Sequence, residues 1–280
     1  MARSAAAFTG RASEAAALEA RTGVVRERLF FATCALLFLA SAAGTVYWCG
    51  SMSGGMPMPG GWTMSMAWMR MPGQSWLGAA AAFAGMWVVM MVAMMLPSLA
   101  SMLSAWRGAV RGGAAISLGA PTVIAGAGYF LVWTGFGAAI YPIGVVLAGF
   151  EMRWPALSRG VPVASGAALV LAGCLQLTAW KARQLGCCRE TPGCAALVAS
   201  DPLSAWRHGL HLGVHCALCC SGFMVVLLVG GVMDLGVMAL VGAGITVERL
   251  APTPVLVARA AGAVVIAAGI AMIARPLLPA

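Results

Sequence analysis

HGLHLGVHCALCCSGFMVVLLVG, residues 208–230, is the stretch that decides the fold class. It has no acidic or basic side chain other than histidine. At 1.5 Å per residue its apolar run, 209–229, is long enough to cross the ~30 Å hydrocarbon layer of a bilayer as a helix. The same stretch holds all three histidines of the chain and three of its nine cysteines. At about 100° per residue, His208, His211, His215 and Cys219 fall on one side of that helix within roughly 80° of arc, and Cys216 and Cys220 form a second stripe beside them. Imidazole and thiolate are strong ligands for soft and borderline metals. Six such groups on one membrane helix point to a transition-metal site.

The rest of the chain extends this reading. Of its 280 residues 61% are hydrophobic and 9% charged, against about 25% charged in soluble domains, and the mean hydropathy is +0.92. Apolar runs fall at 29–48, 78–103, 122–149, 163–180, 209–229, 231–247 and 254–274. The expected fold is an all-α, polytopic transmembrane helix bundle of about seven spans, or six if the weak 231–247 run fails, since it follows a short Gly230-Gly231 turn and carries Asp234. Abundant Gly and Ala in the runs predict close helix packing. The net charge of +9 comes from Lys and Arg at the ends of runs. It orients the chain and does not signal nucleic acid. Residues 1–28 read as a cytoplasmic N-terminal tail, helical or disordered, and 29–280 as the transmembrane domain. Loop 49–77, with Arg70 alone, is exterior, and loop 181–208, with Lys181, Arg183, Arg189 and Arg207, is cytoplasmic. Seven spans put the C-terminus outside. The 150–162 loop, with Arg153 and Arg159, fits this gradient less well. Ala40-Ser41-Ala42 mimics a signal-peptidase site, but the charged region before it is too long, so the first span is retained.

Nine cysteines do not form an even, spaced exterior set, which argues against a disulfide framework. Cys34 reads as a small hydrophobe. Methionine is concentrated in two places. Loop 49–77 carries Met52, Met56, Met58, Met64, Met66, Met69 and Met71 interleaved with Trp62, Trp68 and Trp76. Its Met-x-Met spacing lets soft thioethers converge on copper(I) without fixed secondary structure, and it equally suits an amphipathic segment resting at the membrane interface. In the second run Met86, Met90 and Met94 stack at i, i+4, i+8, beside a stripe of Met91 and Met95, with Pro97 following. A methionine stripe at helical spacing is by default packing. Its coincidence with the His/Cys helix turns it toward metal handling.

Among polar residues, Lys181 is expected to snorkel to the cytoplasmic surface and Glu248-Arg249 to sit at a solvated helix end. Asp234 is placed near the exterior interface, and Gln176 and Thr178 act as interhelical glue. No phosphate-binding loop is present, so ATP-driven pumping by this chain alone is not expected. No Ser-His-Asp spacing exists, and enzymatic activity is not the favoured reading. Axial haem ligation requires opposed histidines, whereas all three lie on one helix.

Several separate motifs resemble, in order, a bacterial family of predicted metal-binding integral membrane proteins (domain-of-unknown-function family 2182). They are Met86-Trp87 through Met94-Met95-Leu96-Pro97-Ser98, Gly173-Cys-Leu-Gln176-Leu177-Thr178 with Lys181, Cys188-Arg189 with Pro192, Cys216-Ala-Leu-Cys219-Cys220, Gly231-Val-Met233, and Glu248-Arg249. Asp234, Arg249 and Ser221 depart from the family's commoner residues, and the histidines exceed its usual pattern. The resemblance implies metal binding in a bundle of the bacterial inner membrane. The expected metal is copper first, with zinc or another transition metal as alternatives. The expected ligands are His208, His211, His215, Cys216, Cys219, Cys220, Met86, Met90 and Met94, in a ladder of roughly 18 Å rather than one site. The role expected is metal transport, or delivery to a membrane metalloenzyme or from a metallochaperone. The rival reading is a membrane subunit or assembly factor of a redox enzyme, or a thiol redox protein using Cys219-Cys220 and Cys187-Cys188.

Overall fold

The computed structural model describes residues 2–51, 55–111, 119–189 and 201–275, with side chains from residue 21 onward except at 109–111 and 187–189. Met52, Pro192 and Cys194, and the side chains of Cys187 and Cys188, lie outside the described residues. Eight helices are described: α1 (Ala2–Ser51), α2 (Trp76–Arg111), α3 (Gly119–Arg153), α4 (Pro155–Gln176), α5 (Ala179–Arg189), α6 (Pro202–Gly230), α7 (Leu235–Leu250) and α8 (Pro254–Ala274). Six are long and apolar enough to cross a membrane: Arg21–Ser51, Trp76–Gly108, Gly119–Arg153, Pro155–Gln176, Pro202–Gly230 and Pro254–Ala274. The all-α bundle is as expected.

The 231–247 run becomes α7, only 16 residues long, or about 24 Å. Asp234, expected near the exterior interface, is exposed. It caps α7, its side chain accepting from the Val237 amide at 2.9 Å. Although short, α7 returns antiparallel along α6. Gly230 lies against Val237, Gly244 against Phe223, and Cys220 against Arg249. The expected 150–162 loop does not exist. Trp154 alone separates α3 from α4, because Pro155 starts a new helix at its first position, where a missing N–H costs nothing.

Residues 55–65 of the Met-rich loop form a hairpin. Strands β1 (Gly55–Met58) and β2 (Trp62–Ser65) pair antiparallel, with Met56 opposite Met64 and Met58 opposite Trp62. Pro59-Gly60-Gly61 make the turn, with φ of 109° and 75° at the two glycines. The Met56–Met58 spacing is thus the two-residue period of a strand, and Met58 and Met64 are buried against Ala148. The Trp62 indole N–H donates to the Ser158 carbonyl at 3.0 Å, and the Ser158 hydroxyl donates to the Pro59 carbonyl at 2.9 Å. These bonds dock the hairpin on the start of α4.

Without a water-to-core driving force between helices, close backbone approach supplies the packing. On α4 and α8, Gly166 faces Gly269 and Gly173 faces Gly262. A Cβ at any of the four would come within 2.6–2.8 Å of the opposing carbonyl oxygen. The seven-residue spacing on both helices keeps the two contacts on one seam. Deeper in the bundle, the Trp87 indole N–H donates to the Trp133 carbonyl at 2.9 Å, and its ring fills the space left by Gly137. Replacing Gly269 with Leu is expected to force α8 off α4 and cost about 1–3 kcal/mol. Thermal unfolding in detergent, set against the same change at Gly149, where a Cβ meets open space, checks this.

Candidate metal centre

Helix α6 begins at Asp201, whose side chain accepts from the Ser204 amide at 3.0 Å. Hydrogen bonds from Ser204 hold this carboxyl below the usual carboxylate range. From that cap the His/Cys stretch winds along the bundle, and the structure sorts its six candidate ligands into three environments. His208 is buried and stacks on Trp106 at 5.2 Å between ring centroids, and its Nε2 has no hydrogen-bond partner among the described residues. His211 and His215 meet on the exposed flank, Nε2 to Nε2 at 3.1 Å. The amide oxygen of Gln184, in α5, lies 3.1 Å from His215 Nδ1. The three cysteines are buried. Among the described residues, no group of three or more His, Cys, Asp or Glu gathers around one ion position.

The cysteines share a polar core of the bundle. Cys216 Sγ lies 2.8 Å from the Tyr129 hydroxyl of α3 and 3.9 Å from Cys220 Sγ. Arg249, from α7, directs one guanidinium nitrogen to Cys220 Sγ and another to Met102 Sδ, both at 3.4 Å. Cys219 also meets α5: the Lys181 ammonium donates to its carbonyl at 2.6 Å and lies 3.7 Å from its sulfur. The same ammonium pairs with the Glu248 carboxylate at 2.8 and 3.0 Å. Lys181 therefore does not snorkel, being 1% exposed, and Glu248 and Arg249 are not a solvated helix end, at 1% and 6% exposed. An ammonium closes on a carboxylate when both are withdrawn from water, since either alone in that place is costly.

The methionines divide as well. Met86, Met90 and Met94 are buried. Met90 and Met94 line a cleft of about 670 Å³ between α1, α2 and α7, with Met94 beside Gly242. The thioether bonded into the cysteine core is Met102, absent from the expected ligand set. Seven residues after Met95, it continues the Met91–Met95 stripe rather than the Met86–Met94 one. Tyr129, Lys181, Gln184, Glu248 and Arg249 are the other site residues that residue-by-residue reading did not assign. Three of them, Lys181, Glu248 and Arg249, nevertheless stood inside the family-like motifs.

Two sulfurs 3.9 Å apart fit one soft ion. At a metal–sulfur length of about 2.3 Å they subtend roughly 115–120° at it, an open angle with room for a third ligand. A copper(I) bis-thiolate carries one negative charge, and the Arg249 guanidinium already lies against Cys220.

The ion pair yields a prediction separable from metal. Lys181→Met alone is expected to destabilise the bundle by about 3–5 kcal/mol, because Glu248 is left buried and uncompensated. The double change Lys181→Met with Glu248→Met should recover most of that loss. Detergent melting of the three proteins checks it, and equal losses in the single and double variants would remove the ion pair from the account.

Comparison with known proteins agrees with a copper-related role. No curated protein and no solved structure matches the chain. A family model does, over residues 84–272, a segment that runs from just before Met86 to within two residues of the end of α8 and so takes in the cysteine core and the Lys181–Glu248 pair. With well over half of its length matched, the chain belongs to that family, PpoB2, the copper chaperones.

Proposed function

We propose that this chain is a membrane-embedded copper chaperone that holds copper(I) at Cys216 and Cys220 and hands it on to a membrane metalloenzyme or another acceptor. Met102 and Cys219 border the same core. His208 on α6, with Met86, Met90 and Met94 on α2, serve as flanking donors of a route to and from it, and His211 and His215 offer further metal ligands on the exposed flank of α6. The setting proposed is the bacterial inner membrane with the N-terminus in the cytoplasm. The observation that carries the reading is the guanidinium of Arg249 lying against a dithiol pair in an apolar bundle, with one nitrogen on Cys220 Sγ and another on Met102 Sδ. A neutral thiol pair has no need of a buried cation, whereas an anionic thiolate–copper(I) complex does, and soft thiolate and thioether ligands select copper(I) over harder ions. The 3.9 Å sulfur separation also disfavours a resting disulfide, whose S–S distance is about 2.05 Å.

The protein purified without oxygen from copper-fed cells should carry copper near one equivalent per chain. Cys216→Ser combined with Cys220→Ser should lower this to the level of a metal-free control, whereas Cys174→Ser, at an exposed and isolated cysteine, should not. Copper content unchanged by the double substitution would overturn the reading.

Arg249→Gln is expected to weaken copper(I) binding about 10–100-fold, the usual effect of removing an outer-sphere partner. Competition with a colorimetric copper(I) chelator measures it, and Arg249→Lys should recover part of the affinity, because the charge is kept and the fork is lost.

A further inference from the structure

The His211–His215 pair is built differently from the buried thiols, and its geometry suits a different ion. The two Nε2 atoms are 3.1 Å apart on the exposed flank of α6. At a metal–imidazole distance of about 2.0–2.1 Å, nitrogens at that spacing subtend roughly 100° at one ion, close to the tetrahedral and square arrangements of divalent metals and far from the linear arrangement of two-coordinate copper(I). The pair is also oriented from outside. The Gln184 amide oxygen, 3.1 Å from His215 Nδ1, accepts the proton there, so the neutral ring presents a bare Nε2 lone pair toward His211. A hydrogen bond from the second ring nitrogen to a neighbouring acceptor is the usual outer partner of a metal-ligating histidine.

Polar groups flank the pair. Gln184 belongs to α5, an 11-residue helix of sequence AWKARQLGCCR, too short and too polar to cross a bilayer. Arg183, its neighbour in sequence, and Arg207, one turn before His211 on α6, are both exposed. His215 and Cys216 are adjacent in sequence, but their side chains point about 100° apart on the helix. One faces Gln184 while the other faces Tyr129.

We infer that His211 and His215, oriented by Gln184, form a chelating site for a divalent transition-metal ion on the exposed flank of α6, distinct from the buried cysteine core. Two protein nitrogens fill only part of a divalent ion's shell. Water, or a ligand from a protein that brings or takes the ion, completes it.

The test uses the full chain in detergent, carrying an affinity tag without histidine, titrated with Zn²⁺ by calorimetry and with Cu²⁺ by electron paramagnetic resonance in the Cys216→Ser, Cys220→Ser background. Gln184→Leu should weaken Zn²⁺ binding about 10–100-fold, and His211→Ala and His215→Ala at least as much. The Cu²⁺ spectrum should show nitrogen coupling from two imidazoles, a readout that needs no histidine substitution. Zn²⁺ affinity unchanged within threefold in His211→Ala, or a Cu²⁺ spectrum without imidazole nitrogen, would overturn the inference. The cysteine-free background separates this site from the copper(I) reading. Loss of copper(I) with Zn²⁺ binding intact is the pattern expected of two sites, and Zn²⁺ binding lost together with the cysteines overturns a separate divalent site while leaving the copper(I) proposal standing.

Discussion

An ammonium withdrawn from water into an apolar bundle has to be neutralised where it lies, and the Lys181–Glu248 pair at 2.8 Å is the constraint around which this end of the molecule is organised. Lys181 stands at the start of α5, Glu248 near the end of α7, and the carbonyl that completes the ammonium's bonding comes from Cys219 in the middle of α6. Three helices are therefore held in one register by one cation. That register brings Arg249, the next residue after Glu248, onto Cys220 and Met102. It also lays the second turn of α5 along α6, so that Gln184 reaches His215. The thiol core and the histidine pair are both consequences of where Lys181 is held.

Packing sets how finely that register can be specified. The glycine contacts between α4 and α8 allow no side chain at either crossing point, and Gly209 and Gly213 bring α6 against Ala125 and Tyr129 of α3 in the same way. With α3 that close, the Tyr129 hydroxyl meets Cys216 at 2.8 Å. The hairpin at the opposite end uses its methionines in the ordinary manner of a strand, one face down. Its Met58 and Met64 pack against Ala148.

Much of this was legible in the sequence, and what was not has an identifiable cause. Long apolar runs announce membrane helices because length and hydropathy are summed over many residues. The break at Trp154 and the early start of α4 were hidden, since Arg153 and Arg159 look like loop residues when counted by charge alone. Lys181, Glu248 and Arg249 were misplaced for a related reason: hydropathy assigns a cost to each charge singly, and a charge beside its partner escapes that cost. The motif pattern, which takes no account of cost, had already grouped these residues with the cysteines. Met102 was missed because it sits a heptad beyond the dense Met86–Met95 block, at a spacing that shows its face only once the helix is known to continue past Pro97 without a break.

The histidines and cysteines of α6 read in sequence as one ladder, and helical geometry divides them into separate pairs. Residues one apart diverge by about 100°, so His215 and Cys216 cannot share an ion despite their adjacency, whereas residues four apart differ by about 40° and can. That is the spacing of both His211–His215 and Cys216–Cys220. One pair lies on the exposed flank beside a polar helix and offers nitrogen to the borderline divalent ions. The other lies among helices beside a guanidinium and offers sulfur to a soft monovalent ion. On the proposed reading the chain has to release what it binds, and two pairs of different softness, offset by five residues and about 140° of arc on α6, avoid the deep single cage of three or four converging ligands that would hold an ion too long to pass it on.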